Sequence, residues 1–108
     1  MIKNFALTSF ALMMLFIFSD SIKAKVVETR MSFAMSRIDM SAETERNLDD
    51  TVERVANGYR KRAYTDQEKI SIANLLGEIR SFQGKELPDD KARTVDGRLN
   101  AILKRHGL

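Results

Sequence analysis

The single histidine and the lack of cysteine set the first limit on the chemistry of this chain. Without a thiol, disulfides, thiolate metal sites, cysteine nucleophiles and lipid attachment to cysteine are all excluded. His106 lies beside Arg105, and no second histidine or acidic residue is close to it in sequence. A histidine in this place is typical of a cation at a helix end, where it interacts favourably with the helix dipole. We therefore predict no catalytic or metal-binding role for it.

Carboxylates are dense in the stretch 43–53, and paired acids can bind a cation or share a proton. Basic residues alternate with them, and Asp50 and Arg54 have the i, i+4 spacing of an ordinary surface ion pair. We interpret the stretch as the solvated face of a helix. Its acidic residues are Glu43, Glu45, Asp49, Asp50 and Glu53.

Motifs that would indicate an enzyme are missing from the sequence. It contains no glycine-rich phosphate loop, no Gly-x-Ser-x-Gly turn and no His-Glu-x-x-His. Asp89, Asp90 and Asp96 lack the spacing and the terminal glutamate of a calcium loop. We predict a protein that is not an enzyme, with no catalytic residues, no cofactor and no metal.

The run Arg60, Lys61, Arg62, here named the basic patch, lies between Tyr59 and Tyr64. It could contact phosphate, lipid headgroups or an acidic partner. Cations are also usual at the end of a helix. In a eukaryotic secretory pathway, the same run could be a dibasic processing site.

A second candidate site is the methionine-containing segment that precedes residue 41. Met31, Met35 and Met40 lie there close to Phe33 and Ile38. Flexible methionine surfaces bind varied apolar partners, and the same residues also occur in ordinary cores. The predicted partner-binding residues are Val27, Met31, Met35 and Ile38.

The residues that precede these sites have the three-part pattern of a secretory signal peptide. Lys3 is followed by an apolar run over 5–18 and then by the small polar residues of 19–21. The apolar run is shorter than the roughly 20 residues of a membrane-spanning helix. We predict a cleaved signal over 1–24, with a cut after Ser21 as the alternative, and no stable transmembrane segment after cleavage. A retained signal anchor is the other interpretation.

Export without cysteine favours a bacterial periplasmic or secreted protein, because small extracellular proteins of animals and plants usually carry disulfides. Loss of the signal would lower the net charge from +3 to +2. So balanced a charge does not indicate a nucleic-acid partner.

Residues 25–40 fit two patterns. Alternate residues from Val27 to Met35 are apolar or β-branched as in a strand, and other apolar residues recur with helical spacing. No later segment offers a partner strand, and an unpaired strand leaves its backbone groups unsatisfied. We interpret 25–40 as a helix or a mobile arm.

Residues 41–108 are predicted to form a helical domain. Ser41 is placed to cap a helix over 42–62, and Thr65 with Glu68 forms a capping box for a second helix. A third helix follows Pro88 and runs over 90–105, with Gly107 just beyond it. The predicted buried residues are Leu48, Val52, Val55, Tyr59, Ile72, Leu75, Leu76, Ile79, Phe82, Val95, Leu99, Ile102 and Leu103, with Ile70 beside them.

The sequence thus predicts an all-α fold, a small bundle of three short amphipathic helices, or four if 25–40 is also helical. A domain of this size has little burial to spare, so a partner or a second copy would stabilise it. The expected function is protein binding or self-association through apolar helix faces. The alternative is a secreted precursor, or a membrane-active cationic peptide, processed near Arg62.

Overall fold

The computed structural model describes residues 19–108, with side chains from residue 21 onward. This part of the chain is all-helical, as predicted, and contains four helices. They are α1 (Ser19–Met35), α2 (Ala42–Arg60), α3 (Asp66–Arg80) and α4 (Asp89–Arg105). The predicted signal falls mostly on residues 1–18, outside the described residues, while 19–24 form the first turns of α1.

Helix α1 includes most of the segment whose sequence pattern was ambiguous. Met31, Ala34 and Met35 are buried, whereas Arg30 and Phe33 on the other side of the helix are exposed. This segment is therefore a helix with one buried face, and α1 packs against α2 and α3.

The next two helices begin at capped residues that the sequence identifies. The Ser41 hydroxyl accepts a hydrogen bond from the Thr44 backbone N–H at 3.2 Å. Thr65 and Glu68 make both hydrogen bonds of a capping box, 3.1 Å and 2.9 Å long. Because these side chains satisfy backbone donors that have no partner inside the helix, the two starting points are fixed locally.

The end of α4 is also fixed by its own residues. Gly107 has a positive φ of 68°. The backbone N–H groups of Gly107 and Leu108 donate to the carbonyls of Lys104 and Leu103. This is a Schellman motif, in which glycine takes the left-handed conformation at lowest cost. Leu108 packs against the core, as predicted for its hydrophobic partner.

The helices form two hairpins, α1 with α2 and α3 with α4, that lie side by side in the same direction. Their connecting loops are joined by a parallel bridge between Asp39 and Glu86. The Leu87 N–H donates to the Asp39 carbonyl at 2.8 Å, and the Leu87 side chain is buried. The sequence showed no convincing internal repeat, yet the two halves of the described chain share this form.

The second helices of the hairpins run parallel. Near their amino ends, Thr44 donates to Asp89 at 2.9 Å, and farther along Thr51 donates to Asp96. All the apolar residues predicted for the core of α2 and α4 are buried. In α3 the prediction fails for Ile70, which is 57% exposed, because it lies on the opposite face from Ile72, Leu76 and Ile79.

Candidate functional site

Among the described residues, His106 has the side-chain type that is most often catalytic or metal-binding. It joins two helices. Its Nε2 lies 2.9 Å from both carboxylate oxygens of Glu68, at the start of α3. The pKa of Glu68 is lowered, first by the hydrogen bond from the Thr65 backbone N–H and next by that from His106. Thr65 and Glu68 cap α3, and Glu68 also bonds to His106. No group of three or more potential metal ligands occurs in the described part of the chain. The arrangement clamps α3 to the end of α4.

The residues of the basic patch do not gather into one binding surface. Arg60 donates to Glu28 of α1 at 2.8 Å, so its charge is paired within the molecule. Lys61 and Arg62 are exposed in the loop after α2, and Arg62 has a positive φ of 53°.

The two flanking tyrosines belong to the core. Tyr59 and Tyr64 are buried in edge-to-face contact, with ring centroids 5.0 Å apart. The Tyr64 hydroxyl donates to the Val55 carbonyl at 2.9 Å, and burial raises the pKa of both phenols. The two tyrosines that flank the basic patch therefore stabilise the fold.

The acidic residues of α2 have the surface positions that the sequence indicates. Asp50 and Arg54 form the expected i, i+4 ion pair at 3.1 Å. Asp49 and Glu53 are exposed.

The four predicted partner-binding residues lie on the inner side of the first hairpin. Met31, Met35 and Ile38 are buried in the core, and Val27 packs against it. These side chains already contact their own chain. An apolar surface that α1 offers to another molecule must therefore include side chains that are more exposed than these.

Such a surface lies on the other side of α1, facing α3. Phe33 is 57% exposed and Val26 is 38% exposed. Phe33 borders an open groove of about 530 Å³, and Val26 borders an adjoining hollow of about 140 Å³. Arg30 and Arg80 line both, and the two adjoining hollows together are here named the α1–α3 groove. Its other lining residues are Val27, Thr29, Met31, Tyr59, Ala73, Leu76, Gly77, Ser81 and Gln83.

The α1–α3 groove carries positive charge without a carboxylate. Among its described lining residues Arg30 and Arg80 are the charged ones, and Arg37 lies close by, with its guanidinium carbon 4.4 Å from the Phe33 ring centroid. Two of the acids on these helices are paired with cations outside the groove. Glu28 pairs with Arg60, and Glu78 pairs with Lys91 of α4 at 3.2 Å.

The concave surface between α3 and α4 encloses about the same volume as the larger part of the α1–α3 groove, but its lining residues carry charges of both signs. It measures about 500 Å³, and its lining includes two carboxylates, Glu68 and Glu78, and two guanidinium groups, Arg98 and Arg105. Charges of both signs there neutralise one another. The α1–α3 groove therefore combines exposed apolar side chains with one sign of charge, and it is the better candidate for a binding site.

Two of the four predicted partner-binding residues, Val27 and Met31, line this groove, whereas the sequence analysis did not select Phe33 or Val26. The signal that could have identified Phe33 is its position two residues from Met31 and Met35, since residues two apart do not share a helix face. Ile70 is displaced from Ile72 in the same way. Phe33 and Ile70 are thus large apolar side chains that lie outside the buried faces of their helices.

No family model matches the chain, and comparison with curated proteins and with solved structures found no match. None of the described helices combines the length and the apolarity needed to cross a bilayer.

Proposed function

We propose that this chain is an exported, non-enzymatic helical protein that binds another macromolecule through the outer face of α1. The observation that carries the proposal is the exposure of Phe33 and Val26 beside a groove. A large aromatic side chain left in water on a well-packed helix is a typical anchor for a partner. The signal-like pattern over residues 1–24 supports export.

The non-enzymatic part of the proposal rests on the sequence, which carries no motif that would indicate an enzyme. His106 and Glu68 contact each other, the hydroxyls of Ser36 and Ser81 donate to nearby backbone carbonyls, and that of Ser41 donates to Thr44 and Asp89. Serine catalysis needs a base held against the hydroxyl.

The test places a photo-crosslinking phenylalanine analogue at position 33, where it nearly matches the native side chain. The control carries the same group at Ala101, an exposed residue of α4. After expression in the source organism and irradiation, we expect covalent adducts from position 33 and none of the same mass from position 101. Equal adduct patterns at both positions, or no adduct at position 33, would overturn the proposal.

The same samples test the precursor alternative. Intact mass spectrometry should give one exported species that begins near residue 22 or residue 25. Fragments that end at Arg62 or Arg105 would instead identify a processed peptide precursor.

A further inference from the structure

We infer that the occupant of the α1–α3 groove is an acidic amphipathic segment of a partner protein, an apolar side chain flanked by carboxylates. This inference rests on the proposed function, and it specifies the chemistry of the partner. Three observations support it, namely the charge of the groove, its shape and the charge distribution over the rest of the molecule.

The charge argument starts from the guanidinium groups. Arg30 and Arg80 line the groove from opposite helices, and neither forms an ion pair with a carboxylate within the described chain. The Nε–H of Arg80 is buried and has no hydrogen-bond acceptor among the described groups. Arginine recognises carboxylates by charge and by paired hydrogen bonds. An occupant that carries carboxylates would therefore be complementary to the groove.

The shape argument concerns the small residues of the groove. On α3, Ala73 has only a methyl side chain and Gly77 has none, while Phe33 lines the groove from α1. A groove between two helices that is lined by small and apolar residues accommodates an apolar side chain of an amphipathic helix. The guanidinium groups of Arg30 and Arg80 would then lie beside the polar residues on either side of that apolar side chain.

The same charges argue against a second copy of this chain as the occupant. A two-fold dimer through this face would bring Arg30 and Arg80 of one copy close to those of the other, and like charges in contact are unfavourable. The acidic residues exposed on α2, such as Asp49 and Glu53, lie among other polar residues. That surface has no large apolar side chain to fill the groove.

The experiment uses two synthetic peptides of equal length with leucine along one helical face. One has glutamate and the other has lysine on its remaining positions, and each carries a fluorophore for anisotropy measurements. We expect the glutamate peptide to bind and the lysine peptide to bind at least tenfold more weakly. Added salt should weaken the glutamate complex because the contacts are ionic.

Three variants locate the site. Arg30→Gln with Arg80→Gln should weaken the glutamate peptide about three- to tenfold, the effect of losing two partly exposed ion pairs. Phe33→Ala should weaken it about tenfold through loss of the apolar anchor. Arg46→Gln removes an exposed charge of α2 outside the groove and should change nothing. Circular dichroism checks that each variant is folded.

Several results would overturn the inference. They are equal binding of both peptides, no loss of affinity in the double arginine variant, and a dimer in sedimentation that Phe33→Ala dissociates. Tighter Phe33-dependent binding to vesicles of phosphatidylcholine and phosphatidylglycerol would assign the groove to an anionic membrane instead. If crosslinks form at position 33 while the glutamate peptide fails to bind, the proposed function stands and the acidic partner is wrong.

Discussion

Gly58 illustrates how a single missing side chain shapes the core. It lies inside α2, and its position allows the Tyr64 ring to rest directly on the helix backbone. A methyl group there would overlap the phenol ring and its hydroxyl. The hydroxyl is held by its hydrogen bond to Val55, so the ring has little freedom to move away. A glycine that lowers helix propensity thus permits a close contact between the loop and α2.

We predict that Gly58→Ala lowers the free energy of unfolding by about 1–3 kcal/mol, because overpacking outweighs the gain in helix propensity. The matched control is Gly97→Ala in α4, where no heavy atom lies within 4 Å of the added carbon. That change should raise the free energy of unfolding by about 0.5–1 kcal/mol. Urea denaturation followed by circular dichroism measures both, and a stabilised Gly58→Ala variant would contradict the Tyr64 contact.

At the scale of elements, α3 and α4 are connected by the contact between Glu68 and His106. The Glu68 side chain is only 11% exposed, and Arg105 adds a cation 3.8 Å away. Tyr64 lies against the other side of His106, with ring centroids 5.8 Å apart. The beginning of one helix and the end of another are therefore held by one carboxylate.

The pKa of Glu68 makes this contact depend on pH. The pKa is lowered from its ordinary value of 4.5 in the folded protein, so the ionised carboxylate contributes stability above pH 4.5. That contribution is lost as the pH falls from 4.5 through the lower folded value. We expect Glu68→Gln to destabilise the protein at pH 7, and we expect the difference from wild type to shrink at pH 3.5.

Glutamine at position 68 can still accept the capping hydrogen bond from Thr65, so this variant removes mainly the charge. Urea denaturation at the two pH values gives the measurement. Glu53→Gln, which changes an exposed carboxylate of α2, should show no comparable dependence. A constant difference between wild type and Glu68→Gln across this range would rule out the ionic contribution.

At the scale of the whole molecule, α1 is an integral part of the core. Met31 is 1% exposed and Ala24 is fully buried. A cut after Ala24 would remove that contact, whereas a cut after Ser21 would keep it. The two hairpins share one hydrophobic cluster, so we expect them to unfold together.

Two variants of α1 separate its inner and outer faces. Met31→Ala should lower the free energy of unfolding by about 2–5 kcal/mol through the cavity that it leaves. Phe33→Ala should lower it by only about 1 kcal/mol, the cost of the exposed Arg37 cation–π contact and of the part of the ring that is covered. Thermal unfolding, followed by far-ultraviolet circular dichroism and by tyrosine signals, should show one coincident transition for both. Separate transitions for the two hairpins would contradict a shared core.

Local signals in the sequence determined three helix boundaries, namely the starts of α2 and α3 and the end of α4. Ser41 and Thr65 cap backbone groups within three residues of themselves, and Gly107 supplies a left-handed turn where it stands. The buried stripes of α2 and α4 follow from helical spacing alone. These features depend on neighbours along the chain, so they could be predicted without the fold.

Only the tertiary structure decided which face of α1 is buried, what His106 contacts and where the charges converge. In α1 apolar residues occur on both sides, so the burial of Met31 and the exposure of Phe33 depend on where α2 and α3 pack. Glu68 and His106 are 38 residues apart, and Arg30 and Arg80 come from different hairpins. Contacts between such distant residues arise only from the packing of helices, which periodicity in a single helix does not specify.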